Sequence, residues 1–221
     1  MHLGIDLGTS SLKLLVLRDD GTVALEHEAP LRHDEPAPGW AEADPAAWIG
    51  AVGDGLDALL QAVPAPAIRA VGVTGHMHGA VLVDAQGRAV RRAVLWPDAR
   101  ARGLSVGWEQ LDPRLRARLG GPFSPGLTGP VLGWLATHEP ESLQRAAGVL
   151  LAKDLVRHHL AGDPTGRLLT DPSDASGTLL WDVAAGAWST EAASTAGVPG
   201  RLLPTVEPSG RVVTSWRGRD V

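Results

Sequence analysis

The chain has 221 residues, 44% of them apolar, which is enough to bury a core as one large domain or two small ones. Its formal net charge of −5 argues against a general nucleic-acid-binding protein, and the lack of cysteine excludes disulfides and thiolate chemistry. No apolar run approaches the roughly 20 residues of a membrane helix, and no signal-type segment precedes the first predicted strand. We therefore expect a cytoplasmic protein that binds neither nucleic acid nor membranes.

The first part of the chain predicts a β-meander and then a long helix. Strands are predicted at 2–6, 12–18 and 22–29. The Asp20–Gly21 pair indicates a tight hairpin turn, and the proline-containing stretch 31–39 predicts a surface loop. The helix is predicted to begin at Pro45 with Asp44 as its N-cap. Three glycines in this helix each weaken it by about 1 kcal/mol relative to alanine, so packing on a sheet must hold it.

The rest of the chain predicts short strands that alternate with helices. The strands are predicted at 68–74, 79–84, 93–96 and 149–151. The helices are predicted at 98–110, 113–119, 130–138, 140–146 and 152–161. A meander followed by such alternation is typical of an α/β domain with a mixed sheet flanked by helices. The eight arginines of residues 88–118 are typical of a solvated helix surface, and residues 214–221 are predicted as a tail.

The most informative motif is the predicted turn between the first two strands, which reads DLGTSSLK from Asp6 to Lys13. An acid at a strand end can hold a water-bound Mg²⁺, because Mg²⁺ prefers a carboxylate, several waters and phosphate oxygens. The backbone N–H groups near Gly8, the hydroxyls of Thr9 and Ser10, and the Lys13 amine can hold an anion. The motif therefore suits the phosphates of MgATP, although it lacks the spacing of a Walker loop. A plain hairpin turn uses the same residue types.

A second motif, GHMHG from Gly75 to Gly79, follows a predicted strand. Alternation along an extended segment would place His76 and His78 on one side and Met77 on the other. Two histidines could belong to a zinc site, but such a site needs three or four ligands and no partner has obvious spacing. Alternatively, His78 and main-chain groups could hydrogen-bond the hydroxyls of a ligand, or the segment could be a packed polar turn.

The third motif, LWPDAR from Leu95 to Arg100, combines a large ring, a carboxylate and a guanidinium. In a sugar site, the Trp96 ring would pack on C–H faces and Asp98 would fix hydroxyls. In the alternative interpretation, Trp96 belongs to the core and Asp98 caps a helix. Arg100 would then form a surface ion pair, which contributes little stability.

These motifs together resemble a known family. The DLGTSSLK string resembles the first phosphate motif of the actin-like ATPase superfamily, and within it the FGGY sugar kinases. The GHMHGA and LWPDAR segments are similar to the GQMHGA and WxDxR signatures of that family, with His76 in place of glutamine. Similarity continues through residues 125–134, where Leu127 and Val131 replace the family's phenylalanine and lysine, and through the runs 151–155 and 170–178 to about residue 213.

The resemblance implies a fold and a reaction. It implies the first lobe (residues 1–213) of an actin-like, ribonuclease H-like kinase that transfers the γ-phosphoryl group of ATP to a ketopentose, with D-xylulose converted to D-xylulose 5-phosphate. Asp6 would organise Mg²⁺, and Gly8, Thr9, Ser10 and Lys13 would hold the phosphates. The substrate contacts would be Met77, His78, Trp96 and Asp98.

In the family, the catalytic base is an aspartate of a GGGDN-like turn and the adenosine site lies on a second lobe. Residues 1–221 contain no such turn, so we expect this chain alone to be inactive and the ATP-binding lobe to be absent from it. Its expected partner, besides the sugar, is that lobe or a second copy of the chain. The alternative is a non-catalytic sugar-binding or interaction module derived from such a kinase.

Overall fold

The structure is a computed structural model that describes residues 1–163 and 166–221. The strands are β1 (His2–Leu7), β2 (Ser11–Leu17), β3 (Val23–Pro30), β4 (Glu42–Ala43), β5 (Ala70–Gly75), β6 (Val81–Val83), β7 (Ala93–Val94), β8 (Gly148–Leu150), β9 (Leu169–Thr170), β10 (Trp181–Asp182), β11 (Ala187–Trp188), β12 (Thr205–Val206), β13 (Ser215–Trp216) and β14 (Arg219–Asp220). The helices are α1 (Pro45–Ala62), α2 (Ser105–Glu109), α3 (Pro113–Arg118), α4 (Thr128–His138), α5 (Pro140–Arg145), α6 (Ala152–Ala161), α7 (Pro172–Ser176) and α8 (Thr190–Thr195). Short 3₁₀ helices span Ala65–Ala67, Arg100–Leu104 and Gly200–Leu202.

The main sheet has the strand order β13-β14-β5-β1-β2-β3. β1 pairs antiparallel with β2 and parallel with β5, and β2 pairs antiparallel with β3. Successive side chains of a strand point to opposite faces. Leu3, Ile5 and Leu7 are therefore buried on one face of β1, whereas Gly4 and Asp6 lie on the exposed face. The predicted meander and the predicted mixed sheet are confirmed.

Helix α1 covers the buried face of this sheet. It begins as the sequence predicts, because the Asp44 side chain accepts a hydrogen bond from the Ala46 N–H (2.9 Å) and Pro45 takes the first helical position. Its buried side chains, Trp48 and Leu59 among them, join those of β1, β2 and α6 in one hydrophobic cluster.

The short β6–β8 pair separates this cluster from a second one. Val81 and Leu150 belong to the first cluster, whereas the neighbouring Leu82 and Val149 belong to the second, which is built around α4. The β5–β6 connection, residues 76–80, therefore crosses from one core to the other. This connection contains the last four residues of the GHMHG motif, whose first glycine ends β5.

The prediction of a tail at 214–221 is wrong. Strands β13 and β14 form a hairpin, and Asp220 pairs with Ala70 in parallel, so the segment adds an edge to the main sheet. Trp216 is buried in the first hydrophobic cluster with only 7% of its surface exposed. Burial of this indole, together with the strand pairing, holds the segment on the sheet.

Across residues 1–163 and 166–221, no helix is both long and apolar enough to cross a membrane.

Candidate functional site

The three sequence motifs converge at one end of the main sheet. The turn of residues 8–10 leaves the carboxyl end of β1, and the segment 76–79 leaves the carboxyl end of the neighbouring parallel strand β5. The His76 N–H donates to the Leu7 carbonyl oxygen (2.7 Å), which holds the two connections together. Ligand clefts of α/β proteins commonly form where parallel strands end in this way.

The β1–β2 turn is tight and leaves donors free. The Gly8 N–H donates to the Ser11 carbonyl oxygen (2.9 Å). A Cβ atom at Gly8 would lie 2.9 Å from that same oxygen, so only glycine fits without a shift. Among the described residues, no hydrogen bond uses the N–H of Thr9 or Ser10. These two N–H groups can therefore point at an anion, while Gly8 provides the turn geometry.

Asp6 lies on the exposed face of the sheet beside this turn. Its register partners are Lys13 on β2 and Thr74 on β5, and all three side chains line an open depression of about 490 Å³. Lys13 also forms an exposed ion pair with Glu28 at 3.7 Å. The carboxylate is accessible, and the set of one acid, one amine and two free N–H groups suits Mg²⁺ and phosphate oxygens.

Trp96 connects the third motif to the first. Its Nε1–H donates to Thr9 Oγ1 at 3.0 Å, and the residue is 48% exposed. The alternative in which Trp96 belongs to the core is therefore wrong. Because Thr9 Oγ1 accepts from Trp96, its own O–H remains free to donate.

Gly126 brings a further turn against Trp96. A Cβ at Gly126 would lie 1.8 Å from the Trp96 carbonyl oxygen, so any side chain would displace the turn. The Gly126 carbonyl oxygen accepts from the Gly79 N–H (3.2 Å). A side-chain hydrogen bond thus joins the first motif to Trp96, and backbone contacts at Gly126 join Trp96 to the second motif.

The two histidines of the GHMHG segment do not share one side, contrary to the prediction. β5 ends at Gly75, and both His78 and Gly79 have positive φ (62° and 66°), so strand alternation does not apply. His76 packs edge-on against Trp48 with ring centroids 5.2 Å apart, and His78 Nδ1 donates to the Gly177 carbonyl oxygen at 2.8 Å. Met77 is 59% exposed.

Burial keeps both imidazoles neutral. It lowers the pKa of His76 to about 4, with the Met77 backbone acting in the opposite direction, and neither ring nitrogen has a partner of good hydrogen-bond geometry. Burial also lowers the pKa of His78, with the Gly177 carbonyl acting in the opposite direction. In the described part of the chain, no group of three or more His, Cys, Asp or Glu residues could hold a metal ion.

Asp98 does not present a free oxygen to a ligand, contrary to the prediction. It is 1% exposed, one oxygen accepts from the Ala41 N–H (2.6 Å), and both oxygens accept from Arg100. The N–H of Arg100 is among these donors, but Ala99 and not Asp98 is the N-cap of the 3₁₀ helix Arg100–Leu104. We therefore infer that Asp98 stabilises the turn that carries Trp96 and does not itself contact a ligand.

Arg100 itself is buried rather than part of a surface pair. Its side chain has no exposed surface, bonds to Glu42 (2.7 Å) and lies 3.9 Å from the centroid of the Trp40 ring. Arg91 is also mostly buried and bonds to Glu42 and Glu139. The expectation of a wholly solvated arginine surface at 88–118 is thus wrong for these two residues.

The segment 171–178, which contains helix α7, is a further part of the site, although its sequence did not indicate a contact with the three motifs. Below it, Lys153 Nζ lies 2.7 Å from Asp154, 3.3 Å from Asp171 and 3.0 Å from Asp174. Burial alone would lower the pKa of Lys153, but the three carboxylates raise it. Burial raises the pKa of Asp174 to about 6 despite Lys153. The DPSDASGT run marks this segment in the sequence, but its contact with His78 depends on the tertiary fold.

The comparison with known proteins agrees with this arrangement. The N-terminal domain of the FGGY family of carbohydrate kinases matches residues 1–219. The chain belongs to this family. The actin-like ATPase fold is confirmed by a crystal structure of a xylulose kinase from Brucella ovis, with a TM-score of 0.89 and 35% identity over 98% of this chain and 44% of that one.

Among curated proteins, the xylulose kinase of Escherichia coli (strain K12) is 39% identical over 189 residues, which is 86% of this chain and 38% of that kinase. The glycerol kinase of Bradyrhizobium diazoefficiens is 33% identical over 214 residues, 94% of this chain and 43% of that kinase. The chain thus spans about two fifths of the length of the relatives that it matches.

Proposed function

We propose that this FGGY-family chain is the sugar-binding lobe of an ATP-dependent kinase that converts a ketopentose, D-xylulose, to D-xylulose 5-phosphate. The observation that carries the proposal is the hydrogen bond from Trp96 Nε1 to Thr9 Oγ1, 3.0 Å long. This bond joins the turn of residues 8–10, whose N–H groups can bind phosphate oxygens, to the Trp96 side chain on the His78 side of the site. Phosphoryl transfer depends on holding its two reactants side by side. Similarity to proteins named xylulose kinases supports the choice of sugar.

On the phosphate side, the residues present fit MgATP. The Asp6 carboxylate is exposed and can accept hydrogen bonds from waters of a bound Mg²⁺. The N–H groups of Thr9 and Ser10 can donate to phosphate oxygens, and Lys13 supplies a positive charge across the strand pair from Asp6. Mg²⁺, when bound, would neutralise charge on the phosphates.

On the sugar side, the chain offers apolar surface and polar atoms in one place. Met77 and Trp96 are both about half exposed or more, at 59% and 48%, and can pack on the C–H faces of a sugar. The neutral imidazole of His78 can hydrogen-bond a hydroxyl. Asp98 contributes by stabilising the turn that carries Trp96 and not by contact with the sugar.

We further propose that the catalytic base and the adenosine contacts come from outside these 221 residues, so that this chain alone transfers no phosphoryl group. The partner expected from the sequence, a second lobe or a second copy of the chain, remains a prediction. The expected cytoplasmic location is likewise a prediction.

The test is titration calorimetry of the 221-residue chain with D-xylulose, D-ribulose, glycerol and gluconate, combined with an ADP-formation assay. We expect heat from the ketopentoses, strongest for D-xylulose, and no ADP. Absence of binding by all four compounds would contradict the proposal, and robust ADP formation would contradict the predicted inactivity.

Addition of MgATP while the backbone amides are followed by NMR separates the kinase lobe from a non-catalytic sugar-binding module. The kinase lobe predicts shifts at Thr9 and Ser10 that require Mg²⁺. An Asp6→Asn variant should reduce them, whereas the matched Asp57→Asn change on the exposed face of α1 should not. Sugar binding without any MgATP-dependent shift would favour the module.

A further inference from the structure

The contact between His78 and the segment 171–178 determines which ring nitrogen of His78 carries the hydrogen. His78 Nδ1 lies 2.8 Å from the Gly177 carbonyl oxygen. A carbonyl oxygen can only accept, so the hydrogen must be on Nδ1. In a neutral imidazole the other nitrogen, Nε2, is then a bare acceptor. Neutral is the expected state, since burial lowers the pKa of His78.

Gly177 is shaped for this contact. A Cβ atom there would lie 2.7 Å from His78 Nδ1 and 2.9 Å from Cε1, so the ring would have to move. The backbone of Gly177 has φ −81°, which any residue can adopt. The requirement for glycine is therefore one of space for the imidazole and not of backbone freedom.

The segment that carries Gly177 is held in place by hydrogen bonds and ion pairs. Asp171 Oδ1 accepts from the Asp174 N–H (3.1 Å), and the Asp174 carbonyl oxygen accepts from the Gly177 N–H (3.0 Å). Lys153 holds the side chains of Asp171 and Asp174 through ion pairs of 3.3 and 3.0 Å. The carbonyl that faces His78 therefore belongs to a restrained segment.

The backbone of His78 is also restrained. It has φ 62°, which is uncommon for a non-glycine residue and persists only where the surroundings impose it. The following residue, Gly79, donates to Gly126, and a Cβ at Gly79 would lie 2.5 Å from the Val94 carbonyl oxygen. Both the main chain and the ring of His78 are thus fixed by neighbours.

We propose that Gly177 is a positioning residue for sugar recognition: its carbonyl holds His78 as the Nδ1–H tautomer, so that Nε2 accepts a hydrogen bond from a hydroxyl of the sugar. This inference rests on the proposed sugar-binding function of the cleft. It assigns a direction to the contact, with the sugar as donor and the protein as acceptor. The segment 171–178 then acts on binding although it supplies no side chain to the sugar.

The direct test is ¹⁵N NMR of the ¹⁵N-histidine-labelled 221-residue chain at neutral pH. The His78 signals are identified by their loss in His78→Asn, a change that keeps a residue tolerant of positive φ. We expect Nδ1 to be protonated and Nε2 to be bare. The Nε2–H tautomer in the unmodified chain would overturn the proposal, and this measurement needs no variant at Gly177.

The second measurement compares Gly177→Ala with Gly53→Ala, whose added Cβ meets no atom within 4 Å. We expect Gly177→Ala to change the His78 ring signals and to weaken D-xylulose binding about tenfold, the effect of losing one well-placed hydrogen bond. Gly53→Ala should change neither. Unchanged affinity in Gly177→Ala would overturn the positioning role.

The two proposals fail in different ways. If the unmodified chain binds no sugar, the proposed function is contradicted whatever the tautomer. If it binds D-xylulose but carries the Nε2–H tautomer, only the role of Gly177 is contradicted.

Discussion

The polar groups of single residues at the candidate site divide into those that already have hydrogen-bond partners and those that are free. Both Asp98 oxygens are occupied by Ala41 and Arg100, so this acid can only support the wall. The N–H groups of Thr9 and Ser10 are free within the described structure, so they can bind a ligand. Residue type alone does not separate these cases, because both kinds are polar and lie in turns.

Trp96→Phe tests the link between the sugar wall and the phosphate turn. The change removes the indole N–H but keeps an aromatic ring. We expect D-xylulose affinity to fall several-fold and the MgATP-dependent shift of the Thr9 amide to shrink, with stability changed by less than about 1 kcal/mol because the residue is half exposed. Trp188→Phe is the matched control, since its indole donates to the Pro204 carbonyl instead. Equal effects of the two variants would contradict the link.

His76→Gln tests the buried imidazole through pH. The pKa of His76 is about 4 in the folded chain and near 6.5 when unfolded, so between these values only the unfolded chain binds the proton. Stability from this group is therefore complete above pH 6.5 and lost as pH falls toward 4. We expect the wild type to lose up to about 3 kcal/mol more than His76→Gln over this range.

The measurement is urea unfolding of both proteins at several pH values. Asp174 acts in the opposite direction, because its pKa is raised to about 6 and its contribution is lost as pH rises. It is present in both proteins, so it cancels in the difference. His33→Gln, at an exposed position, is the control. A difference between wild type and His76→Gln that is independent of pH would contradict the buried, neutral state.

The sequence predicts exposure better than it predicts contacts at this scale. The positions of Asp6 and Met77 follow from strand alternation and from an apolar residue placed in a turn. The engagement of Asp98 by Ala41 spans 57 residues of sequence, and that of His78 by Gly177 spans 99. No local pattern encodes such pairs, because they form only when distant turns are brought together by the sheet.

Secondary-structure elements were predictable where a local signal marks their ends. The cap of α1 at Asp44 and the turn after β2 at Gly21, with φ 82°, both agree with the structure. The β13–β14 hairpin was missed, since each of its strands is two residues long and is held by pairing with β5 rather than by its own pattern. Short edge strands depend on tertiary contacts more than on composition.

The glycines of α1 give an element-scale prediction. The sequence pattern does not distinguish these glycines from one another. In the structure, a Cβ at Gly53 would meet no atom within 4 Å, whereas one at Gly55 would lie 2.9 Å from Leu14 Cδ1 and 3.0 Å from His27 Cδ2. We expect Gly53→Ala to raise the free energy of unfolding by about 0.5–1 kcal/mol through helix propensity. Gly55→Ala should lower it by about 1–3 kcal/mol, because Leu14 is fully buried and cannot move freely.

Urea unfolding of the two variants provides the comparison, with each variant serving as the control for the other. If both substitutions stabilise the chain equally, α1 does not approach the sheet at Gly55 as closely as the structure indicates.

At the scale of the whole molecule, two hydrophobic clusters meet at the candidate site. The connection of residues 76–80 passes from the first cluster to the second, and α4 of the second cluster begins just after the turn that contacts Trp96. The candidate site therefore lies where the two cores join. The order of the motifs along the sequence predicts the family, but the junction itself is visible only in the fold.

Trp216→Ala tests whether residues 214–221 are part of this fold. The indole is buried in the first cluster, so we expect a loss of about 3–5 kcal/mol in the free energy of unfolding and one cooperative transition at a lower Tm. Val212→Ala, at a position 55% exposed, should change stability by less than about 0.5 kcal/mol. A Trp216→Ala chain as stable as the wild type would show that the hairpin does not pack on the sheet in solution.

The sharpest test of the proposed sugar site is a map of backbone amide shifts in the 221-residue chain during titration with D-xylulose. We expect saturable shifts at Met77, His78 and Trp96, with a smaller change at Thr9. The nearby cavity of about 380 Å³ lined by Trp108, Phe123 and Leu179 should show none. Shifts confined to that cavity, or no shift at a saturating sugar concentration, would contradict the assignment of the cleft.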